Sequence, residues 1–514
     1  MIKLARIFQD GMVLQRQKPI RLWGETNRKQ NVAVSLDGKI LYEKELPAGS
    51  FSIFLPPREA AENLTLVVSG ESETLIFNNI DIGEVWIAGG QSNMEYPLRF
   101  DIEADSIVPY ADDAHLRYYE TGKYSFEGEE EEGFKDTRYM DKWLEFNPEN
   151  AVYFSAVGMY FAAKIKASLN VPIGVVGCSW GGTTAYAWLG ESYLDANPKF
   201  APYLDEYKAA LEKLDIAKYE KKGEKARRLM ASELVQRMIA NSLFGKSLFS
   251  DVGMRMLPAL LKVIGYTLTK GPKDPNRPSG LYHTMVRKIE GYSGRGVLWY
   301  QGESDEARAD IYAELFSAVI RCWRDAWRDE LPFFFVQLAP FGKAGMGSGK
   351  NFPAVRRRQE WVSKHVSDCY MISSGDAGLP NDIHPKNKRP IGERLALMAL
   401  GKLYGEDILC DAPELAHSSV SGGEIVLRFA YAGEGLSVKG EKLNDLKVIV
   451  GGKELKDPSA GTEGDCVKIQ NPKISEKLPI EILFAWAGYS NVNLYNSAGL
   501  PAKPFKWEYA PENV

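Results

Sequence analysis

The sequence has little cysteine and little histidine. Its 514 residues include five of each. The cysteines lie far apart, with no CxxC pair and no metal-ligand spacing, at Cys178, Cys322, Cys369, Cys410 and Cys466. A sparse, odd count predicts free buried thiols rather than a disulfide framework. The sequence also lacks a P-loop and a GxGxxG after a strand. We therefore expect no metal and no cofactor.

An excess of positive charge and long apolar runs are lacking as well. The 63 Lys+Arg and 68 Asp+Glu residues give a net charge of -5, so we expect neither nucleic acid nor an anionic membrane as a partner. The sequence contains no run of 18 or more apolar residues, so we expect no membrane span. The first residues lack a signal peptide's apolar core, which favours a cytoplasmic location, or an extracellular or periplasmic one if a leader was removed. The oligomeric state stays open, and a homo-oligomer is one option.

Hydrophobic periodicity predicts three regions. Residues 1–80 alternate polar and apolar in short runs, which predicts an N-terminal β domain. Over 81–405, short apolar runs alternate with helical segments, which predicts an α/β domain with a parallel sheet covered on both faces. A helical insertion rich in Lys, Glu, Ala and Leu interrupts this rhythm at about 195–275. Alternation returns over 406–514 and predicts a C-terminal β domain.

One candidate nucleophile, Ser92, follows the strand predicted at Val85–Ala88, in the segment Gly-Gly-Gln-Ser-Asn that ends at Asn93. A serine two residues beyond a Gly-Gly pair fits a tight turn at a strand end. There the hydroxyl is exposed and the backbone N–H points into the same pocket, as acyl transfer requires. The pattern equally fits a strand-to-helix turn with Ser or Asn as the cap. Spacing alone leaves both interpretations open.

A rival nucleophile, Ser179, lies in a literal G-x-S-x-G from Gly177 to Gly181, after the apolar run Ile173–Val176. This is the elbow pattern of α/β-hydrolases. The same residues also fit a Gly-rich loop that lends backbone N–H groups to an oxyanion hole.

Two further polar loops follow predicted strands. Gln301 and Glu303 come after Gly296–Tyr300; the Gln301 amide is suited to donate to a developing oxyanion, although an ordinary polar loop fits as well. His384 lies in a Gly/Pro/Asp loop after Tyr370–Ile372. Histidine is the usual general base near neutral pH. Three further histidines are interpreted as structural or exposed: His115, His365 and His417. The last one, His283, is a candidate to line the site.

These four segments, in this order, resemble the sialate O-acetylesterase family of SGNH-type (GDSL-like) hydrolases, whose relatives include esterases that deacetylate xylan. The resemblance covers most of the chain. The matching motifs are Asp10–Arg16 with Trp23-Gly24, Gln91–Met94, Trp180–Thr183 with Trp188, Gly280–Tyr282 with Trp299–Glu303, and Asp382–Lys388 with Gly392–Leu395. The resemblance implies an α/β fold with an SGNH-like three-layer domain, flanked by N- and C-terminal β-sandwich-type domains.

Carried over by position, the resemblance implies that Ser92 is the nucleophile and His384 the general base. The Ser92 N–H, a glycine of the pair Gly181 and Gly182, and the Gln301 amide would form the oxyanion hole. Ser179 then falls in a supporting loop. Candidate substrate-binding residues are Gln91, Asn93, Trp180, Tyr282, His283 and Glu303.

The acid that orients the histidine is less directly indicated. Many SGNH hydrolases carry it three residues before the histidine, where this sequence has Asn381. Asp382 is the preferred alternative and Asp376 the second, because a triad needs a carboxylate on the other imidazole nitrogen whatever its sequence position.

The resulting hypothesis is a serine-dependent carbohydrate O-acetylesterase that acts through an acetyl-enzyme on acetylated sialic acid, xylan or mannan. For the carboxylate of sialic acid, the basic run Arg356, Arg357 and Arg358 offers a candidate partner. The rivals are an α/β-hydrolase-type esterase that uses Ser179 and a non-catalytic glycan-binding protein.

Overall fold

The computed structural model describes residues 1–132, 139–230, 235, 240–241, 244, 269–342 and 349–511. The chain divides into two compact units. The first consists of Met1–Gln301 and Glu314–Phe333, and the second of Gly302–Ala313 and Phe334–Val514.

The described strands of the first unit are β1 (Ile2–Leu4), β2 (Val13–Gln15), β3 (Ile20–Thr26), β4 (Gln30–Leu36), β5 (Lys39–Leu46), β6 (Gly49–Leu55), β7 (Ala61–Ser69), β8 (Thr74–Gly90), β9 (Asp113–Glu120), β10 (Trp143–Phe146), β11 (Ile173–Ser179) and β12 (Gly296–Tyr300). The N-terminal strands follow the predicted alternation. In β4, for example, Val32, Val34 and Leu36 are buried while the residues between them are more exposed. β3 pairs with β1 and β6, and β4 with β5 and β7, all antiparallel.

The strand β8 connects this β region to the central sheet. Its first half pairs antiparallel with β7, and its second half lies between β11 and β12, parallel to both. β9 is parallel to β11, and β10 joins the edge antiparallel. Every residue of β11 and β12 is buried, as expected for parallel strands with covered faces. The predicted α/β class is thereby confirmed, and one strand runs through the boundary predicted near residue 80.

Helices flank the strands of the first unit. The described α-helices are Ser92–Glu95, Ala104–Ile107, Pro148–Ala151, Ala156–Leu169, Glu191–Asp195, Ala201–Glu212, Ile216–Met230, Arg287–Ile289 and Tyr312–Trp327, the last of which begins in the second unit. Shorter 3-10 turns are Leu98–Phe100, Val108–Tyr110, Glu129–Glu132, Ala185–Trp188 and Pro198–Phe200, and a π-helical turn spans Tyr282–Val286.

Local chemistry sets one of these helix starts. Apolar spacing predicts a helix over 152–169, but the helix begins at Ala156 because the Ser155 hydroxyl caps it by accepting from the Gly158 N–H at 3.1 Å. The predicted insertion at about 195–275 is helical in Ala201–Glu212 and Ile216–Met230; most of residues 231–268 lie outside the described residues. In the described part of the chain, no helix is long and apolar enough to cross a membrane.

The described strands of the second unit are β13 (Phe333–Val336), β14 (Cys369–Ile372), β15 (Glu414–Ser421), β16 (Glu424–Ala430), β17 (Ser437–Val438), β18 (Leu446–Val450), β19 (Lys453–Glu454), β20 (Ser459–Glu463), β21 (Cys466–Gln470), β22 (Ile480–Phe484), β23 (Leu494–Tyr495) and β24 (Phe505–Tyr509). β13 and β14 are neighbours in a sheet. The helical segments are Glu303–Ile311, of 3-10 type, Phe352–His365 and Arg389–Lys402.

The later strands of this unit form two antiparallel sheets with a common core. One has the order β15-β16-β21-β20 and the other β19-β18-β22-β24, while β17 pairs with β23. Leu427 and Ile469 of the first sheet and Val448 and Ile482 of the second are completely buried in one cluster. The β pattern predicted for the C-terminal region is present, and the five cysteines of the chain are free and buried, as expected.

Candidate active site

The turn that carries Ser92 is held against the end of the neighbouring strand β12. Gly90 has a φ of +133°, and a Cβ at this position would lie 2.3 Å from the Tyr300 carbonyl oxygen, so only glycine fits. The Gln91 N–H donates to the same carbonyl at 3.0 Å. Ser92 then begins the helical turn Ser92–Glu95 and is 8% exposed. The sequence therefore places a serine directly beyond the carboxyl end of a central parallel strand.

A glycine-rich loop after β11 packs against this turn. The Trp180 N–H donates to the Gly90 carbonyl oxygen at 3.1 Å. A Cβ on Gly181 would lie 3.1 Å from the Ser92 Cβ, so the backbone of Gly181 lies directly beside the serine. Gly182 has a φ of +74°, and a Cβ at this position would have no atom within 4 Å. This loop is the Gly block predicted to contribute to an oxyanion hole.

Gln301 approaches the same loop from the end of β12. Its side chain is completely buried, and its Nε2 donates to the Thr183 carbonyl oxygen at 3.2 Å. This bond orients the Gln301 amide. Within the first unit, the ends of β8, β11 and β12 thus bring together the first three segments predicted from the sequence, as expected for neighbouring parallel strands.

A buried charge cluster beneath the Gly block was missed in the sequence. Glu95 Oε2 accepts from the Gly181 N–H at 2.6 Å. Lys123 Nζ lies 2.8 Å from Glu95 Oε1 and 3.0 Å from Glu120 Oε1, and the Tyr118 hydroxyl donates to Glu120 Oε2. The only sequence signal was the position of Glu95, three residues after Ser92. We refer to Glu95, Lys123, Glu120 and Tyr118 as the Glu95 cluster.

The ionisation of the Glu95 cluster reflects burial opposed by pairing. Burial raises the pKa of Glu120, and the nearby Lys123 only partly offsets this. For Lys123, burial alone would lower the pKa, but the charges of Glu120 and Glu95 outweigh it and the pKa is raised. Burial also raises the pKa of Tyr118, which therefore stays a donor to Glu120. Lys123 is thus a permanent cation between two carboxyl groups.

Ser179 differs sharply from Ser92. It is the last residue of β11, pairs in register with Gly90, and is 1% exposed. Its Oγ is buried and has no hydrogen-bond partner among the described residues. A nucleophile elbow requires the serine on a turn between strand and helix, and Ser179 lies within the strand instead.

The histidine segment lies in the second unit. His384 is 8% exposed. Asp382 Oδ1 accepts from the His384 backbone N–H at 2.9 Å and lies 4.0 Å from its Nδ1. Lys386 Nζ lies 3.0 Å from Asp382 Oδ2. Asp382 is therefore next to the imidazole nitrogen that a triad acid would contact, although it is not hydrogen-bonded to it.

Asp376, the second candidate acid, is bound elsewhere. Both of its carboxylate oxygens accept from the Arg394 guanidinium at 2.7 Å, and the Tyr495 hydroxyl donates to it at 3.2 Å. A bidentate pair of this kind is geometrically specific. Asp376 is thus paired with Arg394, and the choice of Asp382 as the orienting acid stays a prediction.

The remaining histidines have other contacts. His115 Nδ1 lies 2.8 Å from Asp81 Oδ2. The His365 ring stacks on Trp361 at a centroid distance of 4.3 Å, and His417 is exposed in β15. These positions agree with the structural or exposed roles expected for the three residues.

The candidate substrate-binding residues occupy different environments. Gln91 is 2% exposed and Asn93 is completely buried, so both belong to the interior of the turn that carries Ser92, whereas Trp180 is half-buried. In the π-helical turn, His283 pairs with Glu191, and the Tyr282 ring packs on Gly190. Burial raises the pKa of Tyr282 to about 12. Glu303 begins the segment Glu303–Ile311 and is 8% exposed.

In the arginine run, Arg356 is not the expected partner for a substrate carboxylate, whereas Arg357 and Arg358 are more exposed and stay candidates. Arg356 is 2% exposed and its guanidinium donates to four backbone carbonyls, those of Leu338, Ala339, Ala487 and Gly488. The suggestion that Arg356 binds sialic acid is therefore wrong, because its donors are used to hold loops together.

Comparisons with known proteins agree with the motifs. Residues 266–401 match the family described as "Carbohydrate esterase, sialic acid-specific acetylesterase". The sialate O-acetylesterase of Mus musculus is 25% identical over 438 residues, which cover 79% of this chain and 74% of that protein. The human sialate O-acetylesterase is 23% identical over 440 residues, 79% of this chain and 71% of its own.

A solved structure matches nearly the whole chain. The crystal structure of a carbohydrate acetylesterase from Xanthomonas citri superposes with a TM-score of 0.76 at 28% identity and covers 99% of both chains. The resemblance inferred from the motifs is thus confirmed. The chain is a carboxylic ester hydrolase related to the sialate O-acetylesterase family of carbohydrate esterases.

Proposed function

We propose that the chain is a serine-dependent O-acetylesterase that removes acetyl groups from carbohydrates, with Ser92 as its nucleophile. The observation that carries this proposal is the packing of the Gly181 backbone against Ser92, with Gln301 bonded to the same loop at Thr183. A serine beside backbone and amide N–H groups at the carboxyl ends of parallel strands suits ester hydrolysis. We also propose that the α/β region has the SGNH-type three-layer arrangement and that the domain boundaries lie at about 80 and 405.

In the proposed reaction, His384 accepts the Ser92 proton, and Ser92 Oγ attacks the acetyl carbonyl carbon. The Ser92 N–H, a loop N–H and the Gln301 amide stabilise the tetrahedral oxyanion. Collapse breaks the C–O bond to the sugar, whose alkoxide takes the proton from His384. A water molecule, deprotonated by His384, then attacks the acetyl-enzyme. The bond from the acetyl carbon to Ser92 Oγ breaks, His384 returns the proton to that oxygen, and acetate leaves.

The roles of His384 and Asp382 follow from the family motif. The proximity of Asp382 Oδ1 to His384 Nδ1 supports the assignment of the acid. Lys386 also contacts this carboxylate, with its Nζ 3.0 Å from Asp382 Oδ2.

The test is acetate release from acetylated sialic acid, acetylated xylan and acetylated mannan. We expect release from at least one of these carbohydrates by the wild-type chain and none above background by Ser92→Ala. No release from any of the three, or undiminished release by Ser92→Ala, would contradict the proposal.

A further inference from the structure

Glu95 ties the turn that carries Ser92 to the glycine-rich loop. It is the last residue of the helical turn Ser92–Glu95, and its Oε2 accepts from the Gly181 N–H at 2.6 Å. Hydrogen bonds from a backbone N–H to a carboxylate are short and about twice as strong as neutral ones. The position of Gly181 beside Ser92 therefore depends on a side chain that the nucleophile turn itself supplies.

The carboxylate of Glu95 is in turn held from below by the rest of the Glu95 cluster. Lys123 Nζ lies 2.8 Å from Glu95 Oε1 and 3.0 Å from Glu120 Oε1, and its side chain is only 13% exposed. Glu120 is the last residue of β9. The cluster thus connects the carboxyl ends of three neighbouring strands, β9, β11 and β8, by charged contacts.

A carboxylate beside an oxyanion hole needs an explanation, because its negative charge opposes the charge that develops in the reaction. Lys123 offsets that charge. The bond to Glu95 also occupies the single hydrogen of the Gly181 amide. The next amide in the loop belongs to Gly182, whose φ of +74° turns the backbone in a way that favours glycine.

We infer that Glu95 is a positioning residue for ester hydrolysis: it fixes the Gly181–Gly182 loop against Ser92 and, by engaging the Gly181 N–H, leaves the Gly182 N–H as the donor of this loop to the oxyanion. The inference rests on the proposed function, since it assumes that Ser92 is the nucleophile. It assigns a role to a residue that touches neither substrate nor the reacting atoms.

The test compares Glu95→Ala and Glu95→Gln by steady-state hydrolysis of p-nitrophenyl acetate. We expect Glu95→Ala to lower kcat by about 10- to 100-fold with KM within about twofold, because displaced oxyanion donors weaken transition-state binding only. Glu95→Gln should retain more kcat than Glu95→Ala, since its amide oxygen can accept the same N–H, but less than wild type, because its NH2 group faces the Lys123 ammonium that Oε1 now contacts.

Asp81→Asn is the matched control. Asp81 lies on β8 and is buried. Like Glu95, it is a carboxylate that accepts a backbone N–H, from Asn63 at 2.9 Å, and pairs with a cation, Arg117 at 3.0 Å. It lies in the half of β8 away from the turn. Thermal unfolding of each variant separates stability from catalysis: Asp81→Asn should lower Tm and leave kcat unchanged.

Three results would overturn the inference: an unchanged kcat in Glu95→Ala, an increased kcat, which would mean that the carboxylate blocks the site, or a Glu95→Gln variant as impaired as Glu95→Ala. If Glu95→Ala does not fold, Glu95→Asp decides, because its shorter side chain keeps the charge but draws the loop out of place; full kcat in that variant would overturn the inference. Ser92→Ala, assayed alongside, identifies failure of the proposed function separately, since retained turnover there rejects both.

Discussion

Two serines at the ends of neighbouring parallel strands have opposite environments. Ser179 matches the better-known motif, yet it pairs in register inside β11 and its Oγ is buried. Ser92 stands two residues beyond the last residue of β8, at the start of a turn. The difference shows that a G-x-S-x-G match does not by itself place a serine on a turn beyond a strand.

The two aspartates before His384 differ in the same way. The carboxylate of Asp376 already accepts hydrogen bonds from Arg394 and Tyr495. Asp382 lies beside the imidazole of His384. The rival serine is thus buried within a strand, and the rival aspartate is already paired with an arginine.

The largest expected effect separates the two serines. Ser92→Ala should lower kcat on p-nitrophenyl acetate by about 1,000-fold or more, because the acetyl-enzyme cannot form. Ser179→Ala should remain within about threefold of wild type, since it removes only a buried hydroxyl that lacks a partner in the described residues. The reverse pattern would break the comparison and restore the α/β-hydrolase interpretation.

The second prediction separates the two aspartates. Asp382→Ala should lower kcat by about 10- to 100-fold with little change in Tm, because an unoriented imidazole is a poorer base. Asp376→Ala should instead cost about 3 kcal/mol of unfolding free energy, because it leaves the nearly buried Arg394 guanidinium unpaired. Urea unfolding and steady-state kinetics measure both effects. A large kcat loss confined to Asp376→Ala would make Asp376 the acid.

A smaller effect is expected within the glycine-rich loop. A methyl group on Gly181 would lie 3.1 Å from the Ser92 Cβ and 3.2 Å from Glu95 Oε2, so Gly181→Ala should lower kcat by about tenfold by displacing the serine. A methyl group on Gly182 would contact no neighbour. Gly182→Ala should therefore lose only about 1 kcal/mol of stability, from the strain of a positive φ. Equal kcat values for wild type and Gly181→Ala would show that the loop does not control Ser92.

The smallest effect concerns a carboxyl group that is buried without a catalytic role. Burial raises the pKa of Asp274 to about 6, so the folded state prefers the neutral form. The stability from this preference is present at low pH and is lost as pH rises through about 6. Asp274→Asn should therefore gain about 1–2 kcal/mol at pH 8 and almost nothing at pH 4. Chemical unfolding at the two pH values measures this; a gain that does not depend on pH would contradict it.

Much of the fold was predictable because its signals are local. The fully buried strands β11 and β12 and the alternating β4 follow directly from periodicity. The role of β8 was not predictable, because one continuous strand serves two sheets and no turn marks the change.

The candidate site divides in the same manner. Ser92, Gln301 and the glycine loop were found because they follow strands and match family motifs. The Glu95 cluster was missed because Glu95 meets Lys123, and Gly181 86 positions away, only through tertiary contacts. The engagement of Asp376 and of Arg356 likewise depends on distant partners, Tyr495 and Gly488, that no local pattern reveals.

The central claim is that Ser92, and no other residue, receives the acetyl group. The direct measurement is mass spectrometry of peptides from enzyme quenched in acid during turnover of p-nitrophenyl acetate, with His384→Ala as a slow-turnover comparison. The account predicts a mass increase of one acetyl group on the peptide that contains Ser92. An acetyl group on the peptide that contains Ser179, with Ser92 unmodified, would contradict it.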